Sequence, residues 1–171
     1  MKGIGRTIKR RRLESKTDYV ARRKLLISGK ARVVIRKTNR YIVAQIVTSS
    51  LAQDRVIVGA SSAELTSQGW PASLSGSLKS LPAAYLTGLL LAQRAKGSVQ
   101  EAILDIGMQR NSKIGRLYAL LAGLIAGGIT VPHNPESLPD QKRLESNTRT
   151  REAFITLKEK LGAHGGKGNK K

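Results

Sequence analysis

The chain has 171 residues, 31 Lys and Arg against 11 Asp and Glu, a net charge of +20 and no cysteine. The missing cysteine excludes disulfides and thiolate metal sites. The longest apolar run, Leu117 to Val131, is fifteen residues, short of the roughly 20 that a membrane span needs.

The charge is unevenly spread. Residues 1–40 hold fifteen Lys and Arg against Glu14 and Asp18, residues 41–140 are nearly neutral, and residues 141–171 are basic again. A basic arm and a basic tail around a neutral body point to a polyanion as partner. Residues 1–16 form the arm. They show no hydrophobic period, are dominated by Lys9, Arg10, Arg11 and Arg12, and bury too little apolar area to offset their ordering entropy alone. The arm is therefore expected to be flexible until bound. Its Arg-rich, acid-free start also fits an organelle address.

Residues 17–131 form a single α/β domain. Thr17 or Asp18 caps a helix over 18–28 that Gly29 ends. Its basic face carries Arg22, Arg23 and Lys24. Strands follow at 32–37 and 41–48, rich in β-branched residues and joined by a tight turn at Thr38-Asn39-Arg40. A third strand spans Asp54 to Ala60, after a turn near Ala52-Gln53. Residues 61–79 read as a loop with a helical turn near Ala63–Ser67, and Trp70 lies in it between Gly69 and Pro71. Ser80 caps a helix with an early Pro82 that runs to Lys96 and stops at Gly97. Glu101 to Met108 reads as a buried strand. The helix over 116–127 has a small-residue row, Ala119, Gly123 and Ala126, that would let it lie close to a sheet. The order is β-β-β-α-β-α. The forty-residue connection before strand four is long enough for a crossover that places it parallel, so a mixed sheet packed by helices is expected. Residues 132–171 form an extended C-terminal segment, with a short helix after Asp140, another at Glu152 to Leu161 and a Gly/Lys tail.

No catalytic constellation emerges. Neither a nucleophile elbow nor a phosphate-binding P-loop occurs. Asp105, inside an apolar strand, is the one carboxylate that tempts a metal-dependent nuclease reading, but such chemistry needs several convergent carboxylates, and a structural role fits better. A general DNA binder is the blander alternative. His133 reads as a local hydrogen-bonding residue. The chain is read as a non-enzyme that uses no cofactor, no membrane and no small-molecule substrate.

The basic signal continues from the arm into structured parts: Arg22, Arg23 and Lys24 on the first helix, then Lys30, Arg32, Arg36, Lys37 and Arg40 around the first hairpin. A fixed cationic surface beside a conformable arm can follow a folded phosphate backbone. Tyr19, Tyr41 and Trp70 are candidates to stack on unpaired bases. Six aromatics in the chain are too few for stacking along a single strand, so a structured RNA is the better fit.

An ordered set of short segments carries a family resemblance. It includes Arg10-Arg11-Arg12, Lys16-Thr17-Asp18-Tyr19, Ser28-Gly29-Lys30, Arg32-Val33-Val34-Ile35-Arg36-Lys37-Thr38-Asn39, Gln45-Ile46-Val47, Gly69-Trp70, Pro82 to Leu90, Leu104-Asp105-Ile106-Gly107 and Val131-Pro132-His133. Over about residues 6–145 the chain resembles the archaeal-type large-subunit ribosomal proteins of the L-eighteen family, whose eukaryotic relative is L-five. The resemblance implies a structural protein of the cytoplasmic ribosome that binds 5S rRNA at the central protuberance. Large-subunit rRNA and neighbouring ribosomal proteins would be its other partners. Its motif positions fall on Arg10, Arg11, Arg12, Lys16, Tyr19, Arg22, Lys30, Arg32, Arg36, Lys37 and Asn39. Arg23, Arg40 and Trp70 complete the expected RNA-binding set. The loop after Trp70 departs from the family, with Pro71-Ala72-Ser73-Leu74-Ser75-Gly76 in place of a Lys and further glycines.

Overall fold

The computed structural model describes residues 7–51 and 53–163. The turn expected at Ala52 and the Gly/Lys tail from His164 onward lie outside the described residues.

Within the basic arm, Arg10–Leu13 makes one helical turn (α1) that buries no side chain. It is closed by the amides of Lys16 and Thr17, which donate to the Arg11 carbonyl at 2.8 and 3.2 Å. Helix α2 spans Tyr19–Ile27. Asp18 caps it, its Oδ1 accepting from the amides of Val20 at 2.9 Å and Ala21 at 3.2 Å, which satisfies two donors that the first turn leaves free. Gly29, at φ +65°, turns the chain into the sheet.

Strands β1 (Ala31–Lys37), β2 (Ile42–Ser50) and β3 (Gln53–Ser61) form an antiparallel meander, and β4 (Ala102–Asp105) lies parallel to β1 at the edge, giving the order β3-β2-β1-β4. The expected mixed sheet and element order are therefore present. The β1–β2 turn is held by Thr38, whose Oγ1 accepts from the Tyr41 amide at 2.9 Å. Val33, Ile35, Ile42, Ala44, Ile46 and Ala60 point into the core. Arg32, Val34 and Arg36 project from the opposite face, as the period of two requires.

Three short helical segments, Ser62–Glu64 (3-10), Leu65–Gln68 (α3) and Ala72–Ser77 (3-10), occupy the expected loop. Gly69, at φ +121°, redirects the chain after α3 so that the Trp70 ring enters the core. Helix α4 (Leu81–Ala95) starts at Ser80 and is buried from Pro82 through Ala92. It is central because the sheet covers one side and two helices cover the other.

Helix α5 (Arg116–Ala126) lies so close to α4 that a Cβ added to Gly123 would sit 2.0 Å from the Tyr85 carbonyl oxygen, and one on Gly88 would sit 2.1 Å from that of Leu120. The small-residue row thus serves a helix–helix contact rather than the close sheet approach expected from sequence. Strand β4 is shorter than expected. The chain leaves it after Asp105 and turns through Gly107, at φ +58°.

The C-terminal segment adds a short helix, α6 (Gln141–Leu144), and a long one, α7 (Thr148–Ala163). Phe154, Leu157 and Leu161 of α7 are buried, and Phe154 meets Tyr85 of α4 edge-on, 5.6 Å between centroids. The core therefore continues past residue 131. Lys158 places its ammonium over both rings.

Candidate nucleic-acid interface

The α2 helix lies over the outer face of the sheet with no fully buried residue of its own. Between it, the arm and the turn after β4 runs a groove of about 690 Å³. Arg11 and Lys16 line it from the arm, Arg22 and Lys24 from α2, Arg36 from β1, and Ile106 to Gln109 from the turn after β4. The two carboxylates in the lining are already engaged. Asp18 caps α2, and Asp105 Oδ2 accepts from Arg32 Nη1 at 2.9 Å. The lining therefore carries more cations than carboxylates, five Lys and Arg against Asp18 and Asp105.

An ionic chain anchored on buried Arg32 underlies this surface. Arg32 is 2% exposed. Its Nη1 donates to Asp105 on β4, and its Nη2 donates to Asp54 Oδ1 at 2.7 Å and Ser49 Oγ at 2.9 Å. The Ser49 hydroxyl also donates to Asp54 Oδ1. Asp54 Oδ2 accepts from Arg22 Nη2 of α2 at 3.0 Å. Burial pushes the Asp54 carboxyl up, but the hydrogen bonds from Ser49, Arg22 and Arg32 outweigh it and hold the group at about 2. Asp105 Oδ1 accepts from the Gly107 amide at 2.9 Å and lies 3.6 Å from Arg36 Nη2. Arg36 Nη1 also donates to the carbonyls of Ile35 and Asp105, which fixes its head at the groove rim. Gln109 locks the same end, accepting from the Lys37 amide and donating to the Ile35 carbonyl.

The expected site residues divide. Arg10, Arg12, Arg23, Lys37 and Arg40 are exposed around the groove and hairpin, as are Lys16, which pairs with Glu14 at 2.7 Å, and Lys30, which pairs with Glu101. Exposed ion pairs of this kind contribute little and yield readily to a phosphate. Arg11 Nε donates to Thr17 Oγ1 at 2.9 Å. Tyr19 is half-buried, with the Lys9 ammonium 4.4 Å from its ring centroid. Asn39 stands at the hairpin tip, where its carbonyl accepts from Lys79 Nζ.

Two expectations are corrected. Trp70 is 2% exposed, and its Nε1 donates to the Leu74 carbonyl at 3.1 Å; its ring is core, with no face left for a base. Arg32 is 2% exposed with its guanidinium committed to two carboxylates, so it organises the surface from beneath rather than standing on it. Lys24 and Gln109 lie outside the expected RNA-binding set. Lys24 was visible as part of a basic helix face, but Gln109 joins the groove only through the turn after β4. His133 Nδ1 sits 2.7 Å from the Val131 carbonyl, a local contact as expected. Among the described residues, no three His, Asp or Glu side chains gather as a metal site, and no helix is long and apolar enough to cross a membrane.

Comparison with known proteins places this surface in context. Residues 6–101 match the family model described as ribosomal large subunit proteins 60S L5 and 50S L18. The large ribosomal subunit protein uL18 of Korarchaeum cryptofilum is 50% identical over 157 residues, covering 91% of this chain and 76% of that protein. That of Methanospirillum hungatei is 48% identical over 135 residues, covering 78% and 75%. That of Halobacterium salinarum is 44% identical over 135 residues, covering 78% and 72%.

Proposed function

The chain belongs to the family of ribosomal large subunit proteins 60S L5 and 50S L18, and on that premise we propose that it binds 5S rRNA and helps attach it to the large subunit at the central protuberance. As a member of that family it is a structural constituent of the large ribosomal subunit rather than an enzyme, and its partners are rRNA and ribosomal proteins. The 5S rRNA is the finer part of the reading. It is supported by one observation above all: the arm, α2 and the β1–β4 end of the sheet bring Arg11, Lys16, Arg22, Lys24 and Arg36 into one groove.

Such a surface suits a folded RNA. Cations spaced along a groove neutralise phosphates that a tertiary fold has crowded together, and the released counterions drive association. The exposed residues Arg10, Arg12, Arg23, Lys30, Lys37 and Arg40 extend the field beyond the groove. Asn39 at the hairpin tip offers an amide for a ribose or base edge. The small number of exposed aromatics favours recognition of shape and backbone over stacking on successive bases.

The test is a salt titration of the full chain with 5S rRNA. With roughly eight phosphates neutralised, log affinity should fall with log salt at a slope of about −6 to −7. Random duplex DNA at the same salt should compete poorly. A slope near −2, or equal competition by the DNA, overturns the proposal.

A further inference from the structure

Resting on the reading of the groove as an RNA-binding surface, we infer that Asp54 is a positioning residue for that binding: a carboxylate that strengthens a basic protein's hold on a polyanion by fixing Arg22 in the groove wall.

The geometry behind this is a strap from the interior of the sheet to the helix above it. Its anchored end is Arg32, held 2% exposed by Asp105 on β4. Asp54, opposite Ser49 in the β2–β3 register, takes Arg32 and Ser49 on one oxygen and Arg22 on the other. The free end is Arg22, whose side chain is 37% exposed and lines the groove.

Helix α2 needs such a tie. It buries no side chain completely, and Val20 and Ile27 on its outward side are 61% and 72% exposed. Half-buried Leu25 and Leu26 rest on the body without a deep pocket. Apolar contact of that kind is non-directional, so it leaves the rotation of α2 weakly determined, whereas a charge-assisted hydrogen bond to a fixed acceptor determines it. With the tie made, Arg22 is ordered before RNA arrives, and Lys24 and Ala21 on the same helix keep their place in the wall. The remaining guanidinium donors of Arg22 stay available to a phosphate, because an arginine carries five.

Simple electrostatics predicts the opposite role. Removing a carboxylate makes the protein one unit more positive and should tighten RNA binding, and this difference in sign makes the inference testable. The full-length chain and its variants Asp54→Asn, Arg22→Ala and the double variant are titrated with 5S rRNA and, in parallel, with the remaining large-subunit rRNA, over a range of KCl. Glu159→Gln, on α7, serves as a carboxylate removed away from the groove. Asp54→Asn is expected to weaken binding about three- to tenfold and to make the salt slope shallower by roughly one, as one phosphate contact is lost. Arg22→Ala should do the same, and the double variant should be no weaker than Arg22→Ala alone, the signature of two residues acting through one contact. Glu159→Gln should bind as the wild type or slightly tighter.

Tighter binding by Asp54→Asn overturns the inference. So does a double variant whose loss is the product of the two single losses, because Asp54 would then act only through the fold. Should Asp54→Asn not fold, the comparison of Arg22→Ala with Arg23→Ala decides: a held Arg22 must contribute more than its untethered neighbour, and equal losses overturn the inference. A wild-type chain that does not prefer 5S rRNA fails the proposed function instead, and the same cycle is then read on the large-subunit rRNA. A wild-type chain that binds neither RNA overturns both.

Discussion

Arg32 on β1 and Asp105 on β4 meet diagonally across the parallel strand pair, Nη1 to Oδ2 at 2.9 Å, with both side chains less than a tenth exposed. Such a pair adds little net stability when whole, because desolvation offsets the attraction, but removing one partner strands a charge. Because Asp54 still holds Arg32 at 2.7 Å, Asp105→Ala leaves one buried donor unpaired rather than a bare charge and should cost about 1–3 kcal/mol in urea unfolding. A loss under about 1 kcal/mol would show that water reaches Arg32 and that the pair is not internal.

Gly123 is needed for backbone clearance. Alanine is the better helix former by about 1 kcal/mol, yet a methyl at this position would overlap the Tyr85 carbonyl of α4. Gly123→Ala should thus destabilise by roughly 1–3 kcal/mol through overpacking. Thermal unfolding decides between the two signs, and a raised melting temperature would mean that α4 and α5 separate readily.

Trp70 is the chain's single tryptophan, which makes it a direct reporter. Buried with its Nε1 bonded to the Leu74 carbonyl, it should emit as a shielded indole, resist iodide quenching and change little when RNA binds. Its emission should shift only on unfolding. Strong quenching by RNA would put the ring at the interface.

Acid should loosen the strap at Asp54 in a defined window. Its carboxyl is held at about 2 in the folded protein, against about 3.9 for an unfolded aspartate. As pH falls, the unfolded chain takes up its proton first, so the stabilisation is complete above about pH 4 and is lost progressively toward pH 2. Asp54→Asn should flatten the melting temperature against pH across that window. An unchanged acid limb would show that other carboxylates carry it.

The arm should contribute to binding more than to folding. Residues 1–13 hold six Lys and Arg, and α1 buries no side chain. Deleting 1–13 should leave the melting temperature within a few degrees, since less than about 1 kcal/mol is at stake. RNA affinity should fall, with a shallower salt slope. An equal loss in both assays would mean that the arm supports the domain.

Local physics is legible along the chain. Asp18 and Ser80 announce helix starts because short polar side chains satisfy free amides. β-Branched runs at 32–37 and 41–48 declare strands, and the long connection before Glu101 leaves room for a crossover to a strand parallel to its neighbour. The charge asymmetry by itself indicated a polyanion, and the ordered motifs from Arg10 to His133 pointed to the family. What the sequence could not decide is which side chains share a space. Arg32 and Arg36 are two residues apart on one strand and project from the same face. Only the tertiary structure shows that the first is sealed beneath Asp54 and Asp105 while the second opens on the groove. Trp70 was equally undecidable, because the φ of Gly69 sets whether the ring turns outward or into the core. The small-residue row on α5 announced a close approach without naming the partner surface, and the fold supplied α4. In each case the deciding contact joins residues far apart in sequence, whose separation no local pattern records.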